Sequence, residues 1–344
     1  MLQEEVVYTP APSCAYPFKV AAKRYWLPQF DVNGQDPDAL TLILLHSTSF
    51  HKETWEPTLE CLFGLLVAQT KLKVREAWAI DCPNHGVSAV LNQELLQRPE
   101  YTKKFSCETY ARAAHEFLTA GPVDFRPRKL VGIGHSLGGV AMTFLQCISK
   151  ATSINFCSVI LVEPMLSPEG KQPLAQLRER LVRSARARVF FWPTREEALS
   201  FYRRGMERRA REQKARPWHP KVMKLYVDYG IRPCEHGFTL ACSREEEVGM
   251  YEDNEGSTKP VKCLDKACKR LPVHLILGEI DDYIPKSVQE ALTRPSSGRT
   301  FTSKSVIPKA GHLIPQEVPE ELAMQIFDIL ISYPPEPQRA KSRL

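Results

Sequence analysis

A serine lies in a glycine-rich turn near the middle of the chain, within the stretch KLVGIGHSLGGVAM. Gly134 and Gly138 stand two positions to either side of Ser136, which is the pattern G-x-S-x-G. A strand pattern precedes the turn and a helical pattern follows it, as in a nucleophile elbow. We expect a side chain at either glycine to collide with the backbone of the turn. The pattern predicts that the Ser136 hydroxyl is a nucleophile; a serine retained on an inactive scaffold is the alternative.

A serine nucleophile needs a general base, and His312 is the best candidate among the nine histidines. It lies in IPKAGHLIPQEVPEELA, after the last predicted strand and directly before a helix. In chain order it follows the serine and both candidate acids, as a base on this kind of scaffold does. The other histidines near predicted strands are expected to have structural places: His46 in a loop that it shapes, His85 in a turn, His135 facing away from the serine and His274 in the core.

Two carboxylates are candidates for the acid that orients the imidazole. Asp281 lies in a G-x-x-D-x-x-x-P loop directly after a predicted strand and is the first choice, while the side chain of Asp282 is expected to point elsewhere. Glu163 follows the strand pattern CSVILVE, and its longer side chain would reach the same imidazole from the neighbouring strand. The residues alone leave both alternatives open.

Two backbone N–H groups are expected to stabilise the negative charge that develops on a substrate oxygen. Leu137 begins the helix after Ser136, where the helix dipole is positive. Thr48 lies in the loop HSTSF that follows the strand pattern LTLILLH. Together with Ser136, these groups predict acyl-transfer chemistry through an oxyanion.

The elements around these residues predict the α/β class. Unbroken apolar runs of strand length alternate with amphipathic helical stretches, which is typical of a mostly parallel central sheet with helices on both faces. The predicted strands are AAKRYWLP (an edge strand), LTLILLH, VREAWAIDCP, KLVGIG, FCSVILVEP, LPVHLILGE and FTSKSVIPKAGH. Between Ser167 and Val261 the strand patterns stop and a mostly helical, Arg-rich segment predicts an inserted lid. The division is a core over 1–167 and 262–333, a lid over 168–261 and an exposed tail over 334–344.

The composition excludes several classes of protein. No apolar run approaches the roughly 20 residues of a membrane-spanning helix, and the acidic N-terminal stretch lacks the pattern of a secretory signal. The ten cysteines are scattered and are expected to be reduced thiols. Several Cys and His residues near the end of the lid segment lack paired C-x-x-C spacing, so no metal site is predicted.

The positive charge is concentrated in the lid segment. Between Lys171 and Arg232 there are 17 Lys or Arg and 6 Asp or Glu, against a net charge of +6 for the whole chain. A solvated helical face is one interpretation, and binding of an anionic leaving group such as coenzyme A is the other. The candidate residues for such binding are Arg183, Arg186, Arg188, Arg203 and Arg204. Nucleic-acid binding is disfavoured, because the arginines are not interleaved with an aromatic platform.

Five stretches in the same order resemble the α/β-hydrolase superfamily: HSTSFHKETW, DCPNHGVS, GIGHSLGG, GEIDDYIP and AGHLIPQEVPEELA. More narrowly, SFHKETWEP, VILVEPML and WHPKVMKLYVDYGIRP resemble peroxisomal hydrolases of fungi, among them a yeast lipase and hydrolases of toxin and mycophenolic acid pathways. The resemblance implies an α/β-hydrolase fold and hydrolysis of carboxylic esters or acyl-CoA thioesters. In the narrower group the triad acid can come from the strand end that Glu163 holds here.

The expected function is therefore that of a serine hydrolase acting through an acyl-enzyme, without metal or organic cofactor. A carbon–carbon bond hydrolase with the same triad and a non-catalytic ligand-binding protein are the alternatives. Ser342, Arg343 and Leu344 form a variant of the S-K-L address, which predicts recognition by the peroxisomal import receptor and a place in the peroxisomal matrix. The oligomeric state is left open.

Overall fold

The computed structural model describes residues 1–11, 15–69, 72–148, 154–213 and 216–332. These residues contain a large sheet of eight strands in the order β1-β2-β4-β3-β5-β6-β10-β11 and a small sheet in the order β7-β9-β8. The strands are β1 (Leu2–Tyr8), β2 (Val20–Trp26), β3 (Leu40–Leu45), β4 (Val74–Ile80), β5 (Lys129–His135), β6 (Phe156–Val162), β7 (Phe191–Trp192), β8 (Ile231–Cys234), β9 (Gly237–Leu240), β10 (Val273–Gly278) and β11 (Ser303–Ile307).

The helices connect the strands and cover the large sheet. They are α1 (Glu56–Gln69), α2 (Gly86–Leu91), α3 (Gln93–Leu96), α4 (Cys107–Ala120), α5 (Leu137–Ile148), α6 (Ala175–Ala187), α7 (Arg195–Gln213), α8 (Pro220–Tyr229), α9 (Arg244–Glu252), α10 (Val261–Cys268), α11 (Lys286–Thr293), α12 (Ile314–Glu317) and α13 (Pro319–Ser332).

The large sheet is parallel from β4 to β11, and its central strands are buried on both faces. Along β3, Ile43 and Leu45 face a core that includes residues of α4, α5 and α10. Leu42 and Leu44 face a second core, formed with α1 and α13. Since each strand must bury side chains on both sides, its sequence is a continuous apolar run, and the predicted helix–sheet–helix layers are confirmed.

The N-terminal edge of the sheet differs from the prediction. The segment AAKRYWLP, expected at the edge, forms β2 and lies inside, because β1 pairs with it in antiparallel register from Leu2↔Trp26 to Tyr8↔Val20. β1 reads LQEEVVY; five of its seven residues are exposed, and Tyr8 at its end is buried. Its strand conformation therefore comes from pairing with β2, and the sequence of β1 has no alternating apolar pattern that would predict it.

The segment 168–261, here called the lid, holds the helices α6 to α9. It also contains the small sheet of β7, β8 and β9, where only a pause in the strand pattern was expected. An aromatic cluster with Trp192, Tyr202 and Tyr226 fills the lid and includes Phe50, after β3, and Leu313, beside the candidate base. The lid is thus attached over the carboxyl ends of the strands, where ligands bind in open α/β sheets.

One cysteine pair contradicts the expectation of reduced thiols. A disulfide joins Cys147 of α5 to Cys263 of α10, whose Cα atoms are 5.6 Å apart. Their separation of 116 residues hides this pairing in the sequence, since it depends on the packing of α10 against α5. The described residues hold no cluster of side chains suited to a metal ion. None of their helices combines the length and apolar character needed to cross a membrane.

Candidate active site

Ser136 lies at the tip of the turn between β5 and α5 and has a positive φ of 52°. A Cβ added at Gly134 would come within 2.6 Å of the Gly138 carbonyl carbon, and one added at Gly138 within 2.7 Å of the His46 carbonyl oxygen. The collisions expected from the G-x-S-x-G pattern are therefore present. At these glycines the strand, the turn and the helix lie so close together that no side chain fits between them. This packing presents the Ser136 side chain above the sheet.

This packing predicts opposite outcomes for two glycine-to-alanine changes. Gly138→Ala forces backbone atoms apart and should lower the free energy of unfolding by about 2–4 kcal/mol. Gly64→Ala, in the exposed middle of α1, meets no atom within 4 Å and should raise it by about 0.5–1 kcal/mol. Urea unfolding of both variants measures the difference. Equal effects at the two positions would contradict the close approach at the elbow.

His312 lies in the loop between β11 and α12 and is buried. Its Nε2 atom is 2.9 Å from the Ser136 hydroxyl oxygen. With the other ring nitrogen protonated, Nε2 accepts the hydrogen bond from the serine and is placed to take its proton. The structure thus brings together the two residues that the sequence singled out.

Glu163 completes the chain of hydrogen bonds. It directly follows β6 with a positive φ of 45°, and its Oε2 atom lies 3.1 Å from Nδ1 of His312. The other carboxylate oxygen accepts hydrogen bonds from the Gly278 N–H at 2.7 Å and from Nε2 of Gln289 at 3.0 Å. These donors hold the carboxylate in the orientation in which it faces the imidazole.

Asp281, the first choice for the acid, is placed elsewhere: it is exposed, and Glu163 faces the ring nitrogen instead. Asp282, whose side chain was expected to point elsewhere, has a buried carboxylate that accepts the His312 N–H at 2.7 Å. A tight turn after β10, in which the Asp282 N–H donates to the Ile280 carbonyl, directs the Asp282 side chain inward and leaves that of Asp281 outside. A loop motif in the sequence does not show which of two adjacent carboxylates such a turn directs inward.

The loop after β3 lies beside the serine, and Thr48 lines the same cavity as Ser136. His85, read from the sequence only as part of a turn, fixes this loop, because its Nε2 accepts the Ser49 N–H at 2.9 Å. Burial keeps the pKa of His85 well below its usual value, so the ring stays a neutral acceptor. Leu137 begins α5, so its N–H belongs to the first turn of the helix.

A cavity of about 490 Å³ opens between the lid and the serine. Of the five arginines proposed from the sequence, Arg188 alone is among the described residues that line it; Arg208 and Arg209 contribute instead of Arg203 and Arg204. Arg186 is exposed and bonds Glu252 at 2.7 Å. The sequence showed the basic character of α7 but not which side of this helix faces the cavity.

Arg188 carries a balanced charge at the cavity wall. Its guanidinium lies 2.9 Å from the Glu247 carboxylate. Burial opposes the charge of Arg188, but the carboxylate more than offsets this, so the pKa of Arg188 is raised.

Close to His312, burial raises the pKa of Glu317 to about 7, although this carboxylate accepts the Gly311 N–H at 3.0 Å.

A model of the alpha/beta hydrolase family matches residues 42–325. The chain belongs to this family. The match begins in β3 and extends into α13, and it therefore includes the elbow, Glu163 and His312.

Individual relatives are distant. The type I acyl-CoA thioesterase mpaH of Penicillium brevicompactum is 27% identical in an alignment 211 residues long, which covers 56% of this chain and 45% of that protein. This chain thus spans about half the length of that relative. The abhydrolase domain-containing protein AFT2-1 of Alternaria alternata is 25% identical over 58% of this chain and 82% of its own length.

Among solved structures, the peroxisomal alpha-beta-hydrolase Lpx1 of Saccharomyces cerevisiae superposes with a TM-score of 0.72 at 20% identity, over 99% of this chain and 93% of that one. A thioesterase domain from the curacin biosynthetic pathway superposes with a TM-score of 0.64 at 14% identity, over 95% and 99%. At these identities the likeness shows the shared fold.

Proposed function

We propose that the protein is a serine hydrolase that cleaves a carboxylic ester or an acyl-CoA thioester. The observation that carries the proposal is the continuous line of contacts from Ser136 through His312 to Glu163, buried beneath a cavity large enough for a small-molecule substrate. The similarity to an acyl-CoA thioesterase over part of the chain supports the same chemistry.

In the first half-reaction, the Ser136 oxygen attacks the acyl carbonyl carbon while His312 takes its proton. Glu163 holds the Nδ1–H tautomer and stabilises the imidazolium that forms. The N–H groups of Thr48 and Leu137 are proposed to bind the oxyanion. His312 then gives the proton to the leaving alcohol or thiol as its bond to the acyl carbon breaks. In the second half-reaction, water attacks the acyl-enzyme in the same way and releases the acid.

The charge of the cavity favours a leaving group with phosphates. Arg208 lines the cavity and is exposed, whereas Arg188 is already paired with Glu247. An exposed guanidinium binds phosphate oxygens through paired N–H donors. We therefore propose coenzyme A as the leaving group, with the acyl group directed towards Ser136.

Profiling with acyl-CoA thioesters and p-nitrophenyl esters of matched acyl length tests this proposal. We expect turnover of both classes, because the triad acts on either carbonyl. Arg208→Glu should raise KM about tenfold for acyl-CoA and leave KM for the uncharged ester within twofold, since only the thioester carries phosphates. An unchanged KM for acyl-CoA at both low and high salt would exclude a role of the arginine in binding the leaving group.

We propose the peroxisomal matrix as the location. Ser342, Arg343 and Leu344 lie outside the described residues, so the support comes from the tripeptide sequence and the similarity to a peroxisomal hydrolase. A fluorescent reporter that ends in residues 333–344 should appear in puncta together with a peroxisomal marker. The same reporter with Arg343→Glu is the control and should stay diffuse; a diffuse wild-type reporter would contradict the proposed location.

A further inference from the structure

The Asp282 carboxylate joins the lid to the candidate base. Its Oδ1 atom accepts the main-chain N–H of His312 at 2.7 Å. Its Oδ2 atom forms an ion pair with Arg209 of α7. The Asp282 side chain is only 2% exposed and that of Arg209 is 16% exposed. A lid arginine therefore supplies the counter-charge of a buried carboxylate that holds the backbone of His312.

Arg209 reaches the histidine by a second route. The Tyr283 ring stacks on the His312 imidazole, with the centroids 5.1 Å apart and the planes at 25°. The Arg209 guanidinium lies 5.1 Å from the centroid of the same tyrosine ring, on which cation–π attraction holds it. Arg180 of α6 contacts the same loop, since it donates to the main-chain carbonyl of Asp282, the residue before Tyr283, at 2.9 Å.

The opposite side of His312 is anchored in the core. The His135 ring nitrogen Nε2 lies 2.9 Å from the His312 carbonyl oxygen, to which it donates when it carries the proton. The main chain of the histidine is thus held at its carbonyl by a core residue and at its N–H by Asp282. Displacement of Asp282 would remove one of these two hydrogen bonds, the one at the His312 N–H.

We propose that Arg209 is a positioning residue, through which the lid sets the orientation of the His312 imidazole towards Ser136. The inference rests on the proposed function for the role of His312 as base. Without Arg209, the Asp282 carboxylate would remain buried and uncompensated. The carboxylate would rotate towards other hydrogen-bond donors, and its hydrogen bond with the His312 N–H would lengthen or break. A misplacement of about 1 Å between reacting groups costs on the order of 10²-fold in rate.

Kinetics of Arg209→Gln provide the first test, with Arg204→Gln as a control of equal charge change on the same helix. Arg204 is exposed and is not among the cavity-lining residues. We expect Arg209→Gln to lower kcat on a p-nitrophenyl ester about 10–100-fold with KM within threefold, and Arg204→Gln to change neither by more than twofold. A change in KM alone, or an equal loss of kcat in the control, would show that Arg209 acts on the substrate or through general charge.

A double-mutant cycle with Asp282→Asn tests the route through the carboxylate. Asparagine retains an oxygen that accepts the His312 N–H but carries no charge. In the Arg209→Gln background, Asp282→Asn should therefore cause no further loss of kcat and is expected to recover part of it. Losses that simply multiply would mean that the two residues act independently, which overturns the proposal.

The downfield proton resonance of the His312 Nδ1–H, assigned by its loss in Glu163→Gln, separates this inference from the proposed function. It should shift or broaden in Arg209→Gln and stay in place in Arg204→Gln, with circular dichroism confirming that both variants are folded. An unchanged resonance in Arg209→Gln refutes the positioning role. A wild-type chain without turnover and without labelling of Ser136 refutes the proposed function, whereas the resonance still reports on the link between lid and histidine.

Discussion

Replacement of Ser136 by alanine should lower kcat on an ester or thioester by about 10⁵–10⁶-fold. Without the hydroxyl no acyl-enzyme forms, and the remaining catalysis would come from the oxyanion donors and substrate binding alone. Ser136 is buried at the elbow, and its oxygen is 2.9 Å from Nε2 of His312. The alanine side chain occupies less space and leaves the backbone of the turn unchanged, so the fold should persist.

A fluorophosphonate probe measures the same prediction without knowledge of the substrate. We expect labelling of about one group per chain in the wild type and no labelling of Ser136→Ala. Ser184→Ala is the matched control, since Ser184 is an exposed serine of α6 that lines the same cavity. Retained labelling in Ser136→Ala would assign the nucleophile to another residue.

The second large effect is expected at the carboxylate that faces the imidazole. Glu163→Gln should lower kcat by about 10⁴-fold, because an amide can donate to Nδ1 and then favours the tautomer with a proton on the nitrogen facing the serine. Gln keeps the size of the side chain, and its oxygen can still accept the Gly278 N–H. The loss should therefore appear in turnover, with an unchanged circular dichroism spectrum.

Asp281→Asn provides the comparison for that variant. Asp281 is exposed, whereas the Glu163 carboxylate is buried 3.1 Å from the ring nitrogen. We expect the Asp281 variant to retain kcat within about threefold on the same substrate. If instead Asp281→Asn lost turnover and Glu163→Gln kept it, the loop after β10 would supply the acid in solution.

Local patterns were sufficient for much of the fold and for half of the candidate site. Unbroken apolar runs indicated a parallel sheet, because each central strand buries both of its faces. The glycines around Ser136 and the position of His312 before α12 are also local signals, so both residues could be found without coordinates. β1 carried no such signal, since most of its residues are exposed and its conformation depends on the pairing with β2.

What the sequence by itself determined was the class of scaffold, the candidate nucleophile and the candidate base, since each follows from residues that are neighbours along the chain. The tertiary structure decided the rest, in which distant segments meet. It places Glu163 beside the His312 ring and leaves Asp281 exposed, directs Asp282 inward through a turn, pairs Cys147 with Cys263, and sets Arg209 against Asp282. The physical reason is the same in each case: a contact between residues far apart in the sequence depends on how the helices and loops pack. In the loop after β10, this packing also selects which of two adjacent side chains is buried.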